Sequence, residues 1–169
     1  MHQCRYNVGM LSIRPATEAD VELILQFIRD LAEYEREPNA AVATANDILR
    51  DGFGENPKFR VLIAEWDGKP AGFAFYFFNY STWLGRPGLF LEDLFVNPSL
   101  RGKGIGKALL AELAKIAVAE NCYGMKWEVL DWNQPAIDFY ERLGATLRKE
   151  WITVRLMGEP MEKLANLAD

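Results

Sequence analysis

Two groups of residues have the types and spacing to do chemistry. The first is Leu91-Glu92-Asp93-Leu94, two acids inside an apolar run. Alternation along a strand points neighbouring side chains to opposite faces. Glu92 then shares a face with Leu94 and Val96, and Asp93 shares the other with Leu91 and Phe95. At least one carboxylate must face a core or cleft, where an unpaired charge is costly. The second group is Arg101-Gly102-Lys103-Gly104-Ile105-Gly106-Lys107, which opens a helix. Glycines there let backbone N–H groups close round an anion, and the helix dipole adds favourable potential. Arg101, Lys103 and Lys107 add positive charge, and a pyrophosphate fits this description. A solvated turn using its glycines for geometry alone is the plainer alternative; the interleaved cations favour the anion site. The stretch matches neither the Walker A spacing nor G-x-G-x-x-G.

The rest of the composition narrows the chemistry. His2 is the one histidine, so histidine triads and histidine-ligated metal sites are set aside, barring that terminal residue, and no metal is expected. Acid–base work falls to Glu, Asp, Tyr, Lys or Cys. Cys4 and Cys122 are too few for a disulfide scaffold and suit a reducing, cytoplasmic compartment. Nineteen Lys and Arg against 24 Asp and Glu give a net charge of −5. That argues against general affinity for nucleic acid or anionic membrane and favours a cationic small substrate. No apolar run reaches the length of a membrane span.

The elements that must hold these residues read as a mixed α/β chain. At 169 residues it is the length of one domain, expected over residues 11–169 after a flexible extension over 1–10. Leu11–Arg14 reads as a strand. Thr17 and Asp20 form a capping box before an amphipathic helix running to about Glu35. Thr44 and Asp47 repeat that signal for a shorter helix through Arg50, broken by Asp51-Gly52-Phe53-Gly54. Strands are expected over Phe59–Trp66, Ala71–Tyr80 and Leu89–Val96, with turns at Asp67-Gly68 and Gly85–Gly88. A helix from the glycine stretch to about Glu120, a strand over Met125–Leu130 and a helix over Gln134–Leu143 follow. Gly144 sits where a helix C-cap needs glycine. Ala145–Leu156 has strand character, and a last helix starts near Pro160. Short turns between early strands imply antiparallel pairing, and strand–helix–strand units imply parallel crossovers.

R-G-K-G-I-G after L-E-D-L-F-V-N-P-S-L resembles the acetyl-CoA loop of the GNAT acetyltransferases. Asn133-Gln134-Pro135-Ala136-Ile137-Asp138-Phe139-Tyr140 with Leu143-Gly144-Ala145 resembles the same family's N-x-x-A-x-x-F-Y…G block. Ile13–Thr17, Leu31–Glu35, Asp51–Gly54, Leu91–Asp93 and Trp132–Pro135 resemble the diamine and polyamine branch, the spermidine/spermine and thialysine N-acetyltransferases. The resemblance spans Ile13 to Leu156. It implies a mostly antiparallel twisted sheet with helices on both faces. It further implies acetyl-CoA as co-substrate, direct acetyl transfer to a small cationic amine, and a homodimer. By position, the backbone of Leu94, Phe95 and Val96 is expected to pair with the pantetheine arm. Residues Gly102 to Lys107 (Gly102, Lys103, Gly104, Ile105, Gly106 and Lys107) are expected to hold the pyrophosphate. Asn133 then bonds the pantetheine, Tyr140 lies by the thioester sulfur, and Arg101 and Arg142 reach the phosphates. Tyr34, Glu35, Glu92 and Asp93 match the branch's amine-binding positions, and Trp83 and Trp151 are candidate walls. Lys126 would repel a long polyamine if it faced the pocket, or hold the carboxylate of an amino-acid substrate.

An ammonium of pKa about 10.4 costs roughly 4–5 kcal/mol to deprotonate near pH 7. A carboxylate near the amine can take that proton, and Glu92 is the expected base, with Asp93 close behind. Tyr140 is the expected partner of the departing sulfur. A phenol near pKa 10 steadies a thiolate near 8.5 by hydrogen bonding more readily than by giving up its proton. Cys122 has no histidine in reach by sequence and is expected to be a packed thiol, so transfer is direct, through a ternary complex. Peptide N-acetylation on the same fold and a non-catalytic acyl-CoA-binding module are the rival readings. A nucleotide-binding protein is a distant third.

Overall fold

The computed structural model describes residues 10–167. The expected extension, with His2 and Cys4, lies outside the described residues except for Met10. The chain forms two compact units that divide after Glu128.

The first unit is built on one five-stranded sheet. Its strands are β1 (Leu11–Pro15), β2 (Arg60–Trp66), β3 (Lys69–Ser81), β4 (Arg86–Val96) and β5 (Met125–Lys126), in the spatial order β1-β2-β3-β4-β5. The first four pair antiparallel, and β5 joins β4 in parallel. The helices are α1 (Val21–Tyr34), α2 (Ala45–Phe53) and α3 (Ile105–Ala119). Both expected capping boxes are present. The Thr44 hydroxyl accepts from the Asp47 N–H, and the Asp20 carboxylate accepts from the Thr17 N–H at 2.8 Å. Asp20 is buried and bound by both terminal nitrogens of Arg14 at 2.8 Å, which holds its carboxyl well below the usual range.

Both faces of the sheet are covered, as expected. On one, Ile24, Phe27 and Leu31 of α1 and Ile48 of α2 pack on Val61, Ile63, Phe73 and Phe95. Phe27 stacks on Phe73 at 5.3 Å and lies 5.9 Å from Phe95. On the other, Leu62, Ala64, Ala74, Leu89 and Leu91 are buried, and α3 packs on β1 to β4 through a stripe that includes Ile105, Leu109 and Leu113. Burial of large apolar side chains, each contributing about 1.5–3 kcal/mol, is what fixes the register of a two-faced sheet. At Gly72 the strands lie too close for any side chain: a Cβ there would sit 2.3 Å from the Phe95 carbonyl oxygen.

Several expected boundaries move. α2 runs through Gly52 to Phe53, since Gly52 packs against the Phe59 ring where a larger residue would clash. The expected turn at Gly85–Gly88 is instead Thr82–Gly85, because Asn79, Tyr80 and Ser81 pair with Gly88, Pro87 and Arg86. The strand expected over Met125–Leu130 shortens to β5, whose ladder with β4 stops at Phe90. Two residues further on, β4 carries a bulge: Asp93 pairs with Phe75 but Leu91 pairs with Tyr76. Glu92 is the extra residue, and a bulge bends its strand and breaks the regular spacing a neighbour needs.

The second unit holds α4 (Gln134–Arg142) and α5 (Glu159–Ala165). Asn133 caps α4, its side-chain oxygen accepting from the Ala136 N–H at 3.4 Å. Gly144, with φ 90°, follows the helix as expected. The strand expected over Ala145–Leu156 does not form among the described residues. The segment joins no ladder, and 146–156 is exposed throughout. Arg148, Lys149 and Glu150 interrupt its apolar alternation, leaving too little buried surface to hold a strand. Among the described residues no helix is long and apolar enough to cross a membrane.

Candidate active site

Strand β4 carries the site of the first unit, and its bulge corrects the expected facing of the two acids. Asp93 shares its face with Phe95 but not with Leu91, since the extra residue moves Leu91 to the opposite side. The hydrophobic phase along the strand records this: Leu89 and Leu91 occupy odd positions, Leu94 and Val96 even ones. That shift was the available sequence signal. Glu92, at the bulge, is exposed, whereas Asp93 is largely buried. Burial, reinforced by the charges of Glu92 and Glu35, pushes the Asp93 carboxyl up to about 7. Glu35, the residue after α1, is half-buried, and burial raises its carboxyl also. Glu35, Glu92 and Asp93 therefore form one acidic cluster that would rather hold a proton or a cation than three full charges.

The glycine loop follows β4. Gly102 and Gly104 have φ of 78° and 82°, a left-handed region that side chains rarely adopt. A Cβ at either would meet nothing within 4 Å, so these glycines serve backbone shape and leave open space above the loop. Gly104 is the N-cap of α3, with Ile105 buried at the first helical position and Gly106 next. Exposed Arg101, Lys103 and Lys107 surround this helix start. That is a cradle in which backbone N–H groups and cations suit a pyrophosphate. Lys103 lies over the Trp66 ring at 5.0 Å. Arg101 folds back, its Nε donating to the Val96 carbonyl at 3.2 Å and its guanidinium lying over the Tyr34 ring at 4.4 Å. Neither ring contact was foreseen, since each joins residues from separate elements.

The structure thus brings together Tyr34, Glu35, Glu92, Asp93, the Leu94–Val96 backbone and residues 101–107. Among the described residues, the edge of β4 away from β3 is paired by β5 only at Leu89 and Phe90. Lys126 pairs with Phe90 and is exposed, its ammonium 5.4 Å from the Tyr123 ring. In the second unit, Asn133 is buried at the start of α4, and Tyr140 lies in that helix 5.4 Å from the Phe139 ring. Arg142 ends α4 and Trp151 is exposed. Cys122 is a free thiol whose pKa burial raises, which suits a packed rather than a reactive thiol.

A sheet closed by α1 and α3, with an anion cradle at the end of β4, is the architecture of an acetyltransferase. Among solved structures, an integron cassette protein from the V. cholerae mobile metagenome is similar with a TM-score of 0.78 and 30% identity. That match covers 93% of this chain and 99% of the other. An aminoglycoside N-acetyltransferase solved in complex with CoA shares the fold (TM-score 0.70, 23% identity, 88% and 95% covered). The model of the Acetyltransferase (GNAT) family matches residues 22–145. The chain belongs to that family. Thialysine N-epsilon-acetyltransferase from Sus scrofa is 42% identical over 164 residues, covering 90% of this chain and 96% of the relative. Spermidine/spermine N(1)-acetyltransferase-like protein 1 from Homo sapiens is 43% identical over 146 residues, 82% of this chain but 21% of the relative.

Proposed function

We propose that this acetyltransferase moves an acetyl group from acetyl-CoA directly to a primary amine of a small cationic substrate: a diamine, a polyamine or a lysine analogue such as thialysine. The observation that carries the reading is one strand, β4, leading from an acidic cluster into a cationic cradle that begins eight residues after Asp93. The names of the similar proteins, for thialysine and for spermidine/spermine, support the acceptor class.

When bound, acetyl-CoA supplies the acetyl group as a thioester. The backbone of Leu94–Val96 aligns the pantetheine arm, with Asn133 as a further hydrogen-bonding partner. The loop over 102–107 holds the pyrophosphate, with Arg101 and Arg142 as supporting cations. Glu35 and Asp93 bind the ammonium beside the Tyr34 ring, Trp151 is a wall, and Lys126 takes a substrate carboxylate. Glu92, exposed at the bulge, accepts the proton that the amine must lose before attack. Tyr140 donates a hydrogen bond to the departing sulfur. Residues 11–169 work as one catalytic domain, a reading supported by a family match that extends from the first compact unit into the second, to residue 145. The low cysteine count supports a cytoplasmic setting, and the exposed Trp83 and Leu84 at the β3–β4 turn support a homodimer.

Thiol release with a panel of diamines, polyamines, thialysine and short peptides tests the reading. Release with small amines is expected. Release with peptides alone would favour the peptide enzyme, and acetyl-CoA binding without release would favour a binding module. An acetyl adduct formed without amine would overturn direct transfer. Tyr140→Phe is expected to lower turnover ten-fold or more with little change in acetyl-CoA affinity; unchanged turnover would remove Tyr140 from the reaction.

A further inference from the structure

We infer that Arg101 is a built-in competitor of the cationic acceptor: its guanidinium covers the Tyr34 face that the amine uses, and uncovers it when phosphates draw the side chain to the loop. The inference rests on the acceptor and cofactor sites proposed above and adds a coupling between them. The guanidinium lies 4.4 Å from the Tyr34 ring centroid, and its Nε is fixed to the Val96 carbonyl at 3.2 Å. Tyr34 ends α1, and the next residue, Glu35, belongs to the acidic cluster around Asp93. The ring thus belongs to the segment that supplies Glu35 to the cluster, and a planar cation already lies on it.

Arg101 is equally placed for the other site, since Gly102 and the start of α3 follow it directly. Among the described residues its guanidinium makes no ion pair. Its charge is therefore held by a ring and one carbonyl, both weaker partners than a pyrophosphate. The side chain is also exposed and long enough to change partners. A cation cannot occupy the ring face and the cradle at once, so phosphates in the cradle vacate the ring. By reciprocity, amine on the ring favours phosphates in the cradle by the same factor. Arg101 thereby couples the two sites: phosphates in the cradle open the acceptor face, and amine on that face frees the guanidinium for the cradle.

Calorimetric titration of thialysine and of spermidine into the full chain, with and without saturating CoA, tests the coupling. CoA is expected to tighten amine binding about five-fold, equivalent to about 1 kcal/mol and the size of a partly exposed cation–π contact. Arg101→Met is expected to bind the amine without CoA as tightly as the unaltered protein does with it. The CoA-dependent gain should then vanish, although CoA itself binds more weakly. Arg101→Lys, which keeps charge but not the stacking plane, should retain part of the gain. Equal amine affinity with and without CoA in the unaltered protein would overturn the inference, as would a full gain surviving in Arg101→Met. If Arg101→Met fails to fold, the ratio in the unaltered protein still decides. Failure of the functional reading looks different. Thiol release would be absent with every amine while CoA still tightened amine binding.

Discussion

The cationic loop and the acidic cluster lie on either side of the same stretch of chain yet are built in opposite ways. The loop is made of backbone: left-handed glycines, an open space and a helix start, with lysine heads in solvent. The cluster is made of side chains, and burial tunes it: Asp93 rises to about 7 because burial strips it of water and the charges of Glu92 and Glu35 add to the effect. A site made of backbone tolerates changes in its side chains but not in its torsions. A site made of buried charge responds to every charge placed near it.

Breaking the cluster at its base should have the largest effect. Glu92→Gln is expected to lower turnover about 100-fold, within the usual range for losing a general base, and to leave CoA affinity alone. A drop below three-fold would move the base to another residue. Breaking the loop comes next. Gly104→Val forces a β-branched residue into φ near 82°. A left-handed penalty of about 1–2 kcal/mol should weaken CoA binding roughly 5–30-fold, measured by titration. Retained affinity would mean that the torsion does not shape the cradle.

Asp93 supplies a pH test of intermediate size. Its carboxyl is raised, so it is protonated below about 7 and charged above. Cation binding should therefore strengthen as pH rises from 6 to 8, about ten-fold for one carboxylate titrating near 7 while the amine itself stays charged. Asp93→Asn should flatten that curve, and a curve unchanged by the substitution would remove Asp93 from the acceptor site. The smallest effect is expected for Lys103→Met. That change removes one exposed cation and its contact with Trp66, for a two- to three-fold loss of CoA affinity that fades at high salt. A loss of ten-fold or more would make the loop depend on its side chains after all.

Much of this contrast is legible in the sequence because its signals are local. Glycines spaced between cations, Thr-x-x-Asp caps and alternating apolar runs each act within a few residues. Both capping boxes, the loop and β1 to β4 follow from them. The bulge at Glu92 was legible only in the phase of Leu89, Leu91, Leu94 and Val96, and acids in the middle of the run obscure it. Arg101 over Tyr34 could not be read, since α1 and the loop are far apart in the chain and only the fold brings them into contact. Ala145–Leu156 teaches the converse: alternation describes a strand that could form, while a ladder also needs a neighbour and a buried face. Gly52 stayed helical because tertiary packing against Phe59 outweighs a propensity cost of about 1 kcal/mol.

Gly72 has no functional group and touches no proposed substrate, yet a methyl there would press on the backbone oxygen of Phe95. The strand that feeds the site is thus held in place from behind by an empty position. A chain with alanine at this point would be classed as a cofactor-binding defect by enzymology and as a remote core change by inspection. Both descriptions would be true, because the clearance between two strands sets the reach of the catalytic one.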